Sequence, residues 1–126
     1  MRAWTPEELA AFGDPDEIRI ASLRPDGTAR KAITIWIARL GDDLYVRSAY
    51  GVDKGWYRRA RASRAGTIHA GSRTADVAFE DADPAVVEPL HAAYHAKYDR
   101  YGARIVDTVV SDEAASATLR VVPRQL

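Results

Sequence analysis

Apolar residues recur along this chain with two different periods, and the switches between them mark out the elements. From Glu17 to Leu23, Ile18 and Ile20 alternate with Arg19 and Ala21 at the two-residue period of a strand, and Pro25-Asp26-Gly27 supplies turn chemistry. The return run, Arg30 to Leu40, sets Ile33, Ile35 and Ile37 against Thr34, Trp36 and Ala38, so both of its faces are expected to be covered. Gly41-Asp42-Asp43 turns the chain into a third strand, Leu44 to Ser48. Two further strands are expected at Gly66 to Ala70 and Thr74 to Glu80, joined at Gly71-Ser72, and a last one at Thr118 to Pro123.

Helical signals fill the gaps. Thr5-Pro6-Glu7-Glu8 opens a short helix that ends near Gly13: the threonine caps, proline suits the first helical position, and the glutamates favour the positive end of the dipole. Trp56 to Ser63 has no breaker and forms one or two turns. Asp83-Pro84 starts a helix to about Tyr98, with Val87, Leu90, Tyr94 and Lys97 or Tyr98 at helical spacing. Gly102 interrupts it, and Ala103 to Ala115 forms a second short helix with Ser111 or Asp112 as its cap. Strands arriving in hairpins, rather than alternating with helices, predict an α+β fold: a six-stranded antiparallel split β-barrel with flanking helices, one domain over residues 1–126.

Composition narrows the function classes. At 126 residues, 47% hydrophobic and 29% charged, the chain has the profile of one globular domain. Eighteen cations balance eighteen acids, so there is no overall field to attract nucleic acid or an anionic membrane. The absence of cysteine removes disulfides and thiol nucleophiles. The first residues lack the apolar stretch of a signal peptide, and no run reaches the ~20 apolar residues of a membrane span, so a cytoplasmic protein is expected.

Positive charge is nevertheless concentrated locally. Between Asp53 and Arg64 lie Lys54, Arg58, Arg59, Arg61 and Arg64, with Asp53 the only acid. At about 100° per residue, Lys54, Arg58 and Arg61 share a helical face with Tyr57 beside them, leaving Trp56 and Ala60 to pack. Upstream, Ser48-Ala49-Tyr50-Gly51 offers a hydroxyl, a small side chain and a glycine where a loop meets a helix start, a place where free backbone N–H groups favour phosphate or carboxylate. Arginine's planar fork suits such oxygens. Fifteen of the eighteen cations are arginine, so an ordinary solvated helix face accounts for the charge run equally well.

The run Arg30-Lys31-Ala32-Ile33-Thr34-Ile35-Trp36, then Leu44-Tyr45-Val46-Arg47-Ser48, a glycine-containing loop, Gly55-Trp56-Tyr57-Arg58 and a closing Ala62-Ser63 resembles the flavin- and deazaflavin-binding split barrels. More narrowly, it is similar to an uncharacterised bacterial family of unknown function in that superfamily, related to deazaflavin-dependent nitroreductases and pyridoxamine-phosphate-oxidase-like proteins. The resemblance implies an oxidoreductase working as a homodimer, with FMN or a deazaflavin coenzyme in a groove at the subunit interface. Carried over residue by residue, Arg30 or Lys31 would meet the phosphate, Ser48 and the backbone of Ala49, Tyr50 and Gly51 would line the ring or phosphate, and Lys54, Trp56 and Arg58 would complete the pocket. Tyr50 and Asp53 depart from the glycine pair frequent in such relatives, which keeps open a cofactor-free dimeric module that binds a small anionic metabolite. No catalytic residue is assigned.

Other constellations carry less. Glu88, His91 and His95 fall at i, i+3 and i+7, one face that offers two imidazoles and a carboxylate, but such sets arise often by chance and no metal site is expected. His69 reads as an ordinary half-exposed strand residue. Tyr94, Tyr98 and Tyr101 form either a packing edge or a lid with a phenol able to give a proton. Gly-x-Ser-x-Gly, P-loop and Gly-x-Gly-x-x-Gly motifs do not occur, so hydrolase, nucleotidase and Rossmann chemistry have no support.

Overall fold

The computed structural model describes residues 3–49, 51 and 55–124. Helix α1 (Pro6–Gly13) begins at the expected cap: Thr5 Oγ1 accepts from the Glu8 N–H at 3.1 Å, and the Glu8 carboxylate accepts from the Thr5 N–H at 3.0 Å. Strands β1 (Glu17–Ser22), β2 (Ile33–Trp36), β3 (Ala38–Leu40) and β4 (Asp43–Arg47) follow, then α2 (Gly55–Ser63), β5 (Ala65–Ala70) and β6 (Arg73–Asp81). A 3₁₀ turn at Pro84–Val86 runs into α3 (Val87–Tyr98). Two short helices, α4 (Ala103–Val106) and α5 (Asp112–Ser116), lead to β7 (Thr118–Pro123), with Ser111 capping α5.

All pairings are antiparallel, in the order β2-β1-β5-β6-β7-β4-β3. The sheet has seven strands where six were expected, because the return run is divided at Ile37. Its first half pairs with β1 and its second with β4. Both edges of the sheet are therefore the same stretch of chain, and this closes the sheet into a near-complete barrel.

The division exposes the backbone polar groups of Ile37, which is fully buried. They are met by the end of α3: Tyr98 Oη accepts from the Ile37 N–H at 3.2 Å, and Lys97 Nζ donates to the Ile37 carbonyl at 2.7 Å and to the Gly13 carbonyl at 2.7 Å. Tyr98 Oη also lies 2.5 Å from the Asp16 carbonyl.

The two faces of the return run lead to two cores, as its alternation implies. Ile37, with Ile33 and Ile35 at its margin, joins Leu9, Phe12, Ile18, Leu44, Ile68 and Phe79 inside the barrel. Trp36 and Ala38 face a second layer between barrel and α3, built from Tyr45, Leu90, Tyr94, Tyr98, Val106 and Val109. There Trp36 stacks on Tyr98 with centroids 3.8 Å apart and planes 2° from parallel. Tyr94 and Tyr98 are thus core residues, which bears out the packing alternative over the lid; Tyr101 alone of the three is exposed. At Gly66 the strands approach so closely that a Cβ would sit 2.3 Å from the Ala21 carbonyl oxygen. Among the described residues no helix is long and apolar enough to cross a membrane.

Candidate functional site

Helix α2 buries Tyr57 and Ala60 against the barrel and leaves Trp56 half-buried. Tyr57 therefore packs in the core, contrary to its expected place beside the basic face. The opposite stripe, Gly55, Arg58, Arg59 and Ala62 at i, i+3, i+4 and i+7, borders a cleft of about 940 Å³. Across it stand Arg24, on the hairpin between β1 and β2, and Arg30, just before β2. Arg24 is held by the Thr28 hydroxyl at 3.3 Å and the Ala29 carbonyl at 2.8 Å.

Four guanidinium groups thus border one cleft, and among the described residues no carboxylate lines it. Arg58 and Arg59 form no ion pair among the described residues, whereas Arg61 and Arg64, on the same segment, are both paired to Asp81 at 3.3 and 3.1 Å. Arg61 thus leaves the face on which the sequence places it with Arg58. The described part of the charge run consequently divides in two: Arg61 and Arg64 are paired at the surface, and Arg58 and Arg59 border the cleft. Gly55, the first residue of α2, brings the positive end of the helix dipole to the same place.

The remaining expected site residues distribute around Trp56. Arg30, Lys31, Trp56 and Arg59 line a narrow crevice of about 20 Å³. On its far side Trp56 is a wall of a second cleft, about 440 Å³, with Ile35, Trp36, Ser48, Ala49 and Val109. Arg30 and Arg58 thus meet at the basic cleft, while Ser48 and Ala49 belong to the second one. Gly51 is buried with φ +91°, and its N–H donates to the Ser48 carbonyl at 3.1 Å, so it shapes the loop rather than facing a cleft. Tyr50 and Lys54 lie outside the described residues. Among the described residues, each cleft has one buried polar atom without a hydrogen-bond partner: Arg30 Nε at the first and Ser48 Oγ at the second.

One residue of the second cleft was not legible in the sequence. Arg47, at the end of β4, is almost wholly buried and forms no ion pair among the described residues. Its Nε donates to Thr118 Oγ1 at 3.0 Å, Nη1 to the Val109 carbonyl at 2.8 Å, and Nη2 to the Val87 carbonyl at 3.3 Å, while the guanidinium sits 5.3 Å from the centre of the Tyr94 ring. Burial lowers its pKa from the usual arginine value. Its only sequence signal is a cation that directly follows the apolar run Leu44-Tyr45-Val46.

The helix face of Glu88, His91 and His95 does not converge on a common point. His91 Nδ1 faces Arg47 Nη1 at 2.8 Å, and His95 Nδ1 faces Asp99 at 2.7 Å. His69, half-exposed as expected, lies between the Thr67 and Thr74 hydroxyls.

A sheet closed by one divided run, with helices at its rim and clefts between α2, β2 and the end of β4, is the split β-barrel of pyridoxamine-phosphate-oxidase-like and F420-dependent-reductase proteins. Solved structures of this class superpose on nearly the whole chain. A putative pyridoxamine 5'-phosphate oxidase from Listeria innocua matches with a TM-score of 0.63 at 13% identity, covering 94% of this chain and 92% of the other. An F420 reductase matches with 0.54 at 21% identity, covering 93% of each. A domain-swapped dimer matches with 0.62 at 13%, covering 86% of this chain and 81% of the other. At such identities the likeness is one of fold. Within this class the chain belongs to the family DUF2255, described as an uncharacterized protein conserved in bacteria, whose profile matches residues 8–121. No curated protein sequence matches it significantly.

Proposed function

We propose that the chain is a flavin-type oxidoreductase of the split-barrel class, a homodimer that holds the anionic arm of FMN or a deazaflavin coenzyme in the arginine cleft and its ring system along Trp56. The observation that carries this is the cleft of Arg24, Arg30, Arg58 and Arg59, lined by no acid among the described residues and joined through the shared walls Arg30, Arg59 and Trp56 to the cleft of Trp36, Ser48 and Ala49.

The donor set suits such a group. Guanidinium forks bind phosphate oxygens bidentately, the half-buried indole of Trp56 offers a flat apolar wall, and the partnerless Arg30 Nε and Ser48 Oγ lie where a ligand's acceptors would meet them. When bound, the cofactor supplies hydride transfer; the chain's part is to bind, orient and exclude water. Likeness to an F420 reductase and to a domain-swapped dimer supports the cofactor class and the dimer.

Titrating purified protein with FMN and with the deazaflavin coenzyme tests the proposal. A shift of the visible band at micromolar ligand, lost in Arg58→Ala/Arg59→Ala, is expected; no binding of either at tens of micromolar overturns it.

A second reading has its own observation. Arg30 and Arg58 lie in one cleft and Ser48 and Ala49 in another, so the anion site stands without the ring site. Protein that stays colourless yet gains thermal stability with small organic phosphates or carboxylates would favour a cofactor-free module.

A further inference from the structure

The contact between Arg47 and His91 fixes the protonation of an imidazole by geometry alone. A guanidinium has donors and no acceptor, so His91 Nδ1, 2.8 Å from Arg47 Nη1, must present its lone pair. His91 is therefore neutral, with its proton on Nε2. The same Nη1 donates to the Val109 carbonyl, and both Arg47 and Val109 are walls of the Trp36–Trp56 cleft. Through Nε and Nη2, Arg47 also holds β7 at Thr118 and α3 at Val87. One buried guanidinium thus ties β4, β7, α3 and the turn after α4 together, and among the described residues His91 is the only titratable side chain that accepts from it.

We propose that the Arg47–His91 contact is an acid-released latch on the wall of the Trp36–Trp56 cleft: protonation of His91 removes the acceptor, places two cations in contact, and frees the Val109 turn and α3 from the end of β4. The latch rests on the geometry of the cleft and not on which cofactor, if any, occupies it.

The charged groups facing His91 define the balance. Burial and then Arg47 disfavour the imidazolium, and His95, one turn on, adds to this; Glu88 on α3 and Asp112 at the start of α5 oppose them. The net direction is a pKa below the usual histidine value. Because the unfolded chain then binds a proton more readily than the folded one, stability falls as pH drops below about 6.5, until the folded-state value is passed.

The chain has three histidines, so each imidazole can be followed separately by NMR. His91 is expected to titrate below about 6.5 as the Nε2–H tautomer. In unliganded protein, acrylamide quenching of tryptophan and the loss of Tm should both increase from about pH 7.5 to about pH 5, and His91→Gln, whose amide oxygen accepts without titrating, should flatten both. His95→Gln should leave the quenching change in place. A His91 that titrates at or above the usual value, an Nδ1–H tautomer, or an unchanged acid response in His91→Gln would overturn the latch. The NMR arm stands even if the variant folds poorly. Cofactor titration at neutral pH is a separate measurement, so failure of the cofactor proposal and failure of the latch give different results.

Discussion

Two tyrosines one turn apart on α3 test whether the divided strand is held as described. Tyr94 and Tyr98 are both fully buried, but their hydroxyls differ: that of Tyr98 accepts from the Ile37 N–H and contacts the Asp16 carbonyl, while that of Tyr94 has no partner. Tyr98→Phe keeps the stack on Trp36 and strands a buried N–H, which costs about 2 kcal/mol. The Ile37 carbonyl keeps Lys97. With an unfolding entropy of about 2.1 cal/mol/K per residue, the loss corresponds to a fall in Tm of roughly 8 °C. Tyr94→Phe removes a desolvated hydroxyl that gains nothing in return, so it should be neutral or stabilising by up to about 1 kcal/mol. Urea titrations followed by tryptophan fluorescence would measure both, with unchanged m-values as the sign that the native state is intact. Equal stabilities for the two variants, or a larger loss in Tyr94→Phe, would refute the account of the strand break.

Four other outcomes follow from the geometry. Gly66→Ala should cost about 3 kcal/mol or prevent folding, since the new methyl meets a backbone oxygen at 2.3 Å and a Phe79 ring carbon at 2.9 Å; chemical denaturation measures it. Thr5→Ala should lose about 1 kcal/mol with the capping box, read as a lower urea midpoint. Arg58→Glu should weaken binding of an organic phosphate roughly 10-fold or more by calorimetry, while Arg61→Glu, whose cation serves Asp81, leaves that affinity nearly unchanged. Burial lowers the Lys97 ammonium to about 8 from 10.5, so between those values the unfolded chain holds the extra proton and the Lys97 contribution to stability rises with pH; a series of Tm measurements should show that slope in the native protein and lose it in Lys97→Met.

What was legible in the sequence, and what was not, divides by the range of the interaction. The Thr5 cap, the two-faced run around Ile35 and the Ser111 cap depend on neighbours within a few residues, and each appears where its pattern places it. The break at Ile37 left no local mark, because it arises from one run pairing with two strands, and the groups that satisfy it, Lys97 and Tyr98, lie about sixty residues away. The same holds for the arginines of α2. Their composition is uniform, yet Asp81, seventeen residues beyond Arg64, draws off Arg61 and Arg64 and leaves Arg58 and Arg59 to the cleft.

A finer period would have found that cleft: the set Gly55, Arg58, Arg59 and Ala62 is an i, i+3, i+4, i+7 stripe, whereas grouping Arg58 with Arg61 mixed the two fates. Arg47 had no comparable signal, since a lone cation at a strand end ordinarily reaches solvent. Its burial follows from three separate elements supplying carbonyl, hydroxyl and imidazole acceptors around one guanidinium. Arginine tolerates this because its charge is dispersed over a plane with five donors, each able to take a partner. A lysine there would direct three donors from one point and could not span β7, α3 and the Val109 turn together. The end of β4 therefore fixes both the shape of the Trp36–Trp56 cleft and the one imidazole placed to release it.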